Sequence, residues 1–97
     1  LKKELQPIRD WAKEKGIIDK GDIKTQYLKL NEECGELAEA ILKNDYTEII
    51  DAIGDCVVVL TSISTLAGYD IEHCINTAYD VISKRTGKMK DGNFVKD

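Results

Sequence analysis

Apolar residues recur every three or four positions along most of the chain, which is the spacing typical of amphipathic helices. The pattern predicts four helices with short connections and no strand. The predicted helices cover Lys2–Lys15, Ile23–Lys43, Tyr46–Ala67 and Asp70–Arg85, and residues 17–22 are predicted to be a loop. The predicted apolar stripes are Leu30, Cys34, Leu37 and Ile41 on the second helix and Ile49, Ile53, Cys56 and Leu60 on the third, with Ser62 on the opposite, acidic side. Short connections place consecutive helices antiparallel, so we predict an all-α fold, an antiparallel four-helix bundle formed by residues 1–97 as a single domain.

The second half of the third predicted helix is apolar nearly all round. Its apolar residues are Val57, Val58, Val59, Leu60, Ile63 and Leu66. A helix of this kind is normally buried on several sides, and a chain of 97 residues offers little material to bury it. We therefore predict a homodimer or a homotetramer.

The last segment, residues 84–97, contains two glycines and is predicted to be a basic, loop-like tail. Its cations are Lys84, Arg85, Lys88, Lys90 and Lys96. A basic tail next to an acidic centre suits an anionic ligand, although a tail that only improves solubility has the same composition.

Composition excludes several classes of function. Hydrophobic residues make up 42% of the chain and charged residues 33%, as in ordinary soluble proteins. The longest uninterrupted apolar run, Cys56–Leu60, is far shorter than the ~18 residues of a membrane span. A net charge of −4 argues against a surface for nucleic acid polymers. Three cysteines without a C-x-x-C spacing, interpreted as small core residues, indicate a reducing, cytoplasmic setting.

Two acidic clusters stand out on the second and third predicted helices. The first contains Glu32, Glu33 and Glu36, and the second contains Glu48, Asp51 and Asp55. Like charges one turn apart repel each other, and a divalent cation bound by oxygen ligands would relieve that repulsion. Solvated polar faces are the ordinary alternative for any single acid. Aspartate, however, is a poor residue for a helix interior, and two of them lie there.

The residue types narrow the choice of metal. Di-iron bundles use a Glu-x-x-His motif on each of two helices, and this chain has one histidine. Zinc is disfavoured because paired histidines and cysteines are missing. A site made only of carboxylates suits Mg²⁺ or Mn²⁺.

The sequence around these acids resembles the MazG-like nucleotide pyrophosphohydrolases, in the phage-type branch of the all-α NTP pyrophosphatase superfamily. Residues 32–37 give a complete E-E-x-x-E motif with the ending Gly-Glu-Leu. Residues 51–55 read Asp-Ala-Ile-Gly-Asp before a valine-rich run, so Ala52 stands where the second family motif, E-x-x-D, has an acid. Residues 78–80 and the tail add to the likeness, which covers about residues 25–96.

The resemblance implies hydrolysis of a nucleoside triphosphate, or its deoxy form, to the monophosphate and pyrophosphate. It implies Mg²⁺, with Mn²⁺ as a possible substitute, held by Glu33, Glu36, Asp51 and Asp55. Because of Ala52, the fourth ligand stays open between Asp51 and Glu48. Glu32 or Glu48 is the candidate catalytic residue that orients or deprotonates a water molecule.

Substrate contacts are expected from cations and polar residues near the motifs. The candidates are Lys29, Asn76, Asp80, Lys84, Arg85, Lys88 and Lys96. Lys29 could equally form an ion pair with Glu33 or Glu36. Trp11 and Tyr79 could stack on a base, but packing in a core is the more common role of such residues.

Two other functions fit the sequence less well. One is hydrolysis of phosphoribosyl-ATP within the same superfamily, which the phage-type tail argues against. The other is a non-catalytic helical module for dimerisation or regulation, and Ala52 gives that interpretation some support.

Overall fold

In a computed structural model, which describes residues 2–97, the chain folds into helices followed by one β-hairpin. The helices are α1 (Lys2–Glu14), α2 (Ile17–Lys20), α3 (Ile23–Leu42), α4 (Tyr46–Leu66) and α5 (Ile71–Ile82), and the strands are β1 (Gly87–Lys90) and β2 (Asn93–Lys96). The predicted all-α character is confirmed for most of the chain. The short helix α2 corrects the prediction of a plain loop between the first two long helices.

Helices α3 and α4 form an antiparallel pair at the centre of the molecule. Asn44 adopts the left-handed conformation, with φ of 56°, and Asp45 N donates to Ala40 O over 3.0 Å. This is a common way to end a helix. The Asp45 side chain then accepts from Glu48 N over 3.2 Å, which caps the start of α4. The turn thus reverses the chain within three residues, as the short connection predicted.

The buried residues of α3 and α4 are mostly small. On α4, Ala52, Val59 and Ser62 are buried, and on α3 the buried residues are Glu33 and Ala40. These positions mark the inward faces of the two helices. A carboxylate, Glu33, is therefore part of the buried face of α3.

The buried faces of α3 and α4 differ from the predicted ones. Ile41, Ile53 and Leu60 belong to the predicted apolar stripes but are exposed. Ser62 was predicted on the outer, acidic side of its helix and is instead buried. The interpretation of the cysteines as core residues is wrong for Cys34 and Cys74, which are exposed, while Cys56 is half-buried.

Helix α1 packs on α4 and is also tied to α5 by an ion pair. Arg9 Nη1 donates to Glu72 Oε1 over 2.6 Å, and Nη2 donates to Oε2 over 2.7 Å. Two parallel hydrogen bonds of this kind fix relative orientation as well as distance. The hydrogen bonds from Arg9 lower the pKa of Glu72 to about 2. Leu5 and Ala12 are the buried apolar residues of α1.

One chain does not close into the predicted four-helix bundle. Helix α5 is covered only at its first turn, where Glu72 is buried, and residues 73–82 are exposed. The radius of gyration is 15.6 Å, whereas a compact domain of this length has about 12.5 Å. The single chain is therefore an open arrangement around the α3–α4 pair.

The C-terminal segment is a β-hairpin, which corrects the prediction of a loop-like tail without strands. Met89 pairs with Phe94 and Lys90 with Asn93 in an antiparallel register. Asp91 and Gly92 form the connection with φ values of 51° and 84°. Positive φ at both central residues is the signature of the tight hairpin turn that Asp-Gly favours. All residues of both strands are exposed.

Helix α4 is more apolar over its whole length than the short run Cys56–Leu60 indicated. Among the described helices it alone is long and apolar enough to span a bilayer, with a mean hydropathy of 1.8 over an 18-residue window. The core helix of a soluble protein meets the same criterion, so one such helix is weak evidence for a membrane span.

Candidate functional site

Carboxylates from α3 and α4 converge near the middle of the helix pair. Glu33, Glu36 and Asp55 each place one oxygen within 4.8 Å of the others. Glu33 and Glu36 are neighbours on α3 because residues three apart share a face, and Asp55 faces them from the antiparallel helix. We call these three residues the carboxylate cluster. Oxygen ligands in this arrangement could hold a hard divalent cation.

Glu33 is the unusual member of the carboxylate cluster because it is only 7% exposed. Its Oε2 atom is buried and, among the described residues, has no hydrogen-bond partner. A buried carboxylate oxygen without a donor is costly, whereas coordination to a cation would satisfy it. The structure of the cluster therefore fits a bound metal ion better than a solvated polar face.

Electrostatic repulsion within the carboxylate cluster shows in two pKa shifts. Burial raises the pKa of Asp55, and the negative charges of Asp51 and Glu33 raise it further. The pKa of Glu36 is raised by its hydrogen bond with Glu33 and then by the charge of Glu33. Glu36 and Asp55 thus resist ionisation in this cluster, and a cation bound there would reverse that effect.

Lys29 is the cation closest to the carboxylate cluster on α3. Its Nζ atom lies 3.4 Å from Glu33 Oε1 and 3.7 Å from Glu32 Oε1. These contacts, led by the hydrogen bond with Glu33, raise the pKa of Lys29. The ion pair considered in the sequence analysis is therefore present. Glu32 itself is exposed and lies outside the cluster.

The two candidates for the fourth ligand, Asp51 and Glu48, both precede Ala52 on α4 and differ in their surroundings. Asp51 is exposed, but its charge acts on Asp55. Glu48 lies in the first turn of α4 and lines a polar cavity of about 280 Å³ together with Glu36. Ala52 is 2% exposed in the helix interface, so position 52 brings no ligand to the carboxylate cluster.

A second cavity, of about 320 Å³, adjoins the carboxylate cluster on the side of α1. We call it the α1 cavity. Its lining residues are Trp11, Ile17, Thr25, Gln26, Lys29, Glu33, Asp55, Val58, Val59 and Ser62. Trp11, left open between core packing and stacking on a base, is 45% exposed and forms one wall. Tyr79, the other aromatic candidate, is exposed on α5.

The sequence analysis did not identify Thr25, Gln26 or Ser62 as part of the site. The signal for Gln26 was present, because it lies three residues before Lys29 and seven before Glu33 on the same helix face. Ser62 could not be found in this way, because the predicted rotation of its helix placed it outward.

The remaining predicted substrate contacts lie away from the carboxylate cluster in this chain. Asn76 and Asp80 are exposed on α5, and Lys84, Arg85, Lys88 and Lys96 are exposed in the following turn and hairpin. None of them lines the polar cavity, the α1 cavity or a third cavity that Asp55 lines together with Pro7 and Ile8.

Comparisons with known proteins complete the description of the site. Residues 22–90 match the family model of the MazG nucleotide pyrophosphohydrolase domain, and this segment contains the whole carboxylate cluster. An uncharacterized 18.2 kDa protein in the rep-hol intergenic region of Haemophilus phage HP1 is 37% identical over 60 residues. That alignment covers 62% of this chain and 37% of the phage protein, so the chain spans less than half of that relative. No solved structure matches.

Proposed function

The chain belongs to the MazG nucleotide pyrophosphohydrolase domain family, and we propose that it hydrolyses nucleoside triphosphates or their deoxy forms to the monophosphate and pyrophosphate. The observation that carries this proposal is the carboxylate cluster of Glu33, Glu36 and Asp55. Within it, the buried Oε2 atom of Glu33 has no hydrogen-bond donor among the described residues. Such a cluster suits a substrate that arrives with a divalent cation, as nucleotides do.

The donor set fits Mg²⁺, with Mn²⁺ as a substitute. We assign Glu33, Glu36 and Asp55 as ligands, with Asp51 as the fourth, because its charge already acts on Asp55. When bound, a divalent ion would neutralise phosphate charge and lower the pKa of a water molecule.

The protein side chains would contribute positioning and proton transfer. Lys29 can exchange its contacts with Glu32 and Glu33 for a phosphate oxygen, since an ammonium group readily serves as a point charge for phosphate. Glu48 shares the polar cavity with Glu36, where it can accept a hydrogen bond from a water molecule and orient it. Glu32, which forms an ion pair with Lys29 at the surface, is the second candidate for orienting the water molecule.

We further propose that the chain works as a homodimer or homotetramer. Support comes from the exposed apolar side chains of α5, among them Ile75, Tyr79 and Ile82, which recur at helical spacing. An isolated two-stranded hairpin is also marginally stable in water, so the hairpin should gain from a partner surface. In such an assembly, Lys88 and Lys96 of one chain could contact a phosphate group bound at the carboxylate cluster of another. A cytoplasmic location fits the unpaired cysteines.

A nucleotide panel tests the proposed reaction. The chain is incubated with ribo- and deoxyribonucleoside triphosphates in Mg²⁺, Mn²⁺ or excess chelator, and both products are identified. We expect monophosphate and pyrophosphate in equal amounts with either metal and none with chelator. Release of diphosphate and inorganic phosphate, or no metal-dependent turnover of any nucleotide, would contradict the proposal.

A further inference from the structure

The α1 cavity is continuous with the carboxylate cluster. Glu33 and Asp55 belong to the cluster and also line the cavity, and Lys29 lies on the boundary between them. A molecule held through its phosphates at the cluster would therefore extend its other end into this cavity. At about 320 Å³, the cavity is within the size range of small-ligand sites.

The chemistry of the α1 cavity suits a flat, uncharged ring. Trp11 and Val58 provide apolar walls, and the small, buried side chains of Val59 and Ser62 also line the cavity. Gln26 offers an amide that can donate and accept hydrogen bonds. The charged residues of its lining are Glu33, Asp55 and Lys29, which belong to the carboxylate cluster or border it. Phosphate groups would remain on the side of the metal ligands and Lys29.

Trp11 lies on α1, the helix that the ion pair fixes against α5. It follows Arg9 by two residues, and Arg9 donates two hydrogen bonds to Glu72. Trp11 is nevertheless 45% exposed, so packing within the chain leaves much of its surface uncovered. A partly uncovered indole ring on a fixed helix is a suitable platform for stacking.

We propose that the α1 cavity binds the base of the nucleotide, with Trp11 stacking on the ring and Gln26 contacting its edge. This inference rests on the proposed function and adds to it which element recognises the base. Trp11 lies outside residues 22–90, the segment that matches the family model. Helix α1 therefore supplies a determinant of base preference from outside the matched domain.

Fluorescence of Trp11 tests this assignment directly, because the chain contains one tryptophan. The intact protein is titrated with nucleoside monophosphates, which are not turned over, and with inorganic phosphate as a probe that lacks a base. We expect saturable quenching by monophosphates and none by inorganic phosphate. Equal responses to both probes, or no response to any monophosphate, would overturn the assignment.

Kinetics of Trp11 variants give an independent test. Replacing a stacked aromatic residue typically weakens binding of a base by about tenfold or more. We expect Trp11→Leu to raise KM by about that factor and Trp11→Phe to restore most of the loss. Tyr69→Leu, a change of an exposed tyrosine beyond α4, is the matched control and should leave KM unchanged. Wild-type KM values for Trp11→Leu would refute stacking.

Gln26 separates recognition of the base edge from stacking. Gln26→Ala should alter the ratio of kcat/KM between nucleotides with different bases by several-fold. Trp11→Leu should instead reduce kcat/KM for every nucleotide by a similar factor. An unchanged ratio would remove Gln26 from the assignment. If the wild-type chain cleaves no nucleotide, the proposed function fails, while the fluorescence titration still decides whether the cavity binds a base.

Discussion

At the scale of single residues, the chemistry of the site was more predictable than its geometry. Glu33, Glu36 and Asp55 were recognised by spacing and by resemblance, and the structure brings them together. The degree of burial of each acid was not predictable, because spacing alone does not say which face of a helix turns inward. The burial of Glu33 and the wall formed by Trp11 depend on how the helices pack, which is a tertiary property.

The variant Asp55→Asn tests whether these acids are arranged for a metal rather than for stability. Because the folded protein raises the pKa of Asp55, the ionised side chain destabilises the fold at neutral pH. In chelator, the variant should melt at the wild-type temperature or a few degrees above it. With Mg²⁺, pyrophosphate release should fall by roughly 100-fold or more, since even indirect contacts to a metal are worth 10–100-fold.

Asp19→Asn, a change of an exposed acid on α2, is the control for the Asp55 variant and should alter neither quantity. A large loss of melting temperature in the Asp55 variant, with Mg²⁺-dependent turnover retained, would make the acid structural and contradict the assignment.

At the scale of elements, the long helices could be located from periodicity and caps, but their orientation could not. The predicted apolar stripes included Ile41, Ile53 and Leu60, which are exposed, whereas the buried residues include Ala40, Ala52 and Ser62. The hairpin could have been found, because Asp91-Gly92 is a strong turn signal between short alternating segments. The two glycines of this segment led instead to the prediction of a loop-like tail.

The ion pair between α1 and α5 predicts a pH dependence of stability. The pKa of Glu72 is lowered from 4.5 to about 2, so its stabilising effect is complete above pH 4.5 and is lost as the pH falls towards 2. Glu72→Gln should lower the melting temperature by roughly 5 °C or more at pH 7, because Arg9 loses its carboxylate partner and keeps only the hydrogen bonds to Gln6. The difference from wild type should shrink steadily below pH 4.5.

Thermal melts of wild type and Glu72→Gln between pH 2.5 and 7 measure this effect, with Glu14→Gln at the exposed end of α1 as the control. A difference that stays the same over the whole range would show that ionisation of Glu72 is not what stabilises the contact.

At the scale of the whole molecule, the open shape of the single chain favours assembly. Helix α5 and the hairpin expose apolar side chains that the rest of the chain leaves uncovered, including Ile75, Tyr79, Ile82 and Phe94. The sequence predicted an oligomer from the apolar surface of the third predicted helix. In the structure the exposed apolar surface extends over α5 as well, which the helical pattern alone could not show.

Ile75→Glu tests assembly through α5. A charge in the middle of the apolar stripe should shift the protein to a monomer, since a buried unpaired charge is not tolerated in an interface core. Thr77→Glu, on the opposite side of the same helix, is the matched control and should keep the wild-type mass. Light scattering after size-exclusion chromatography measures both. A monomeric wild type, or an unchanged mass for Ile75→Glu, would contradict assembly through this face.

The most direct measurement for the whole account is binding of Mn²⁺ to the nucleotide-free protein, followed by the paramagnetic resonance signal of the free ion. Wild type should bind at least one Mn²⁺ per chain, and Glu33→Gln should weaken that binding by about 10- to 100-fold or more. Glu14→Gln should bind as wild type does. Equal binding by wild type and Glu33→Gln would contradict the claim that the carboxylate cluster is a metal site.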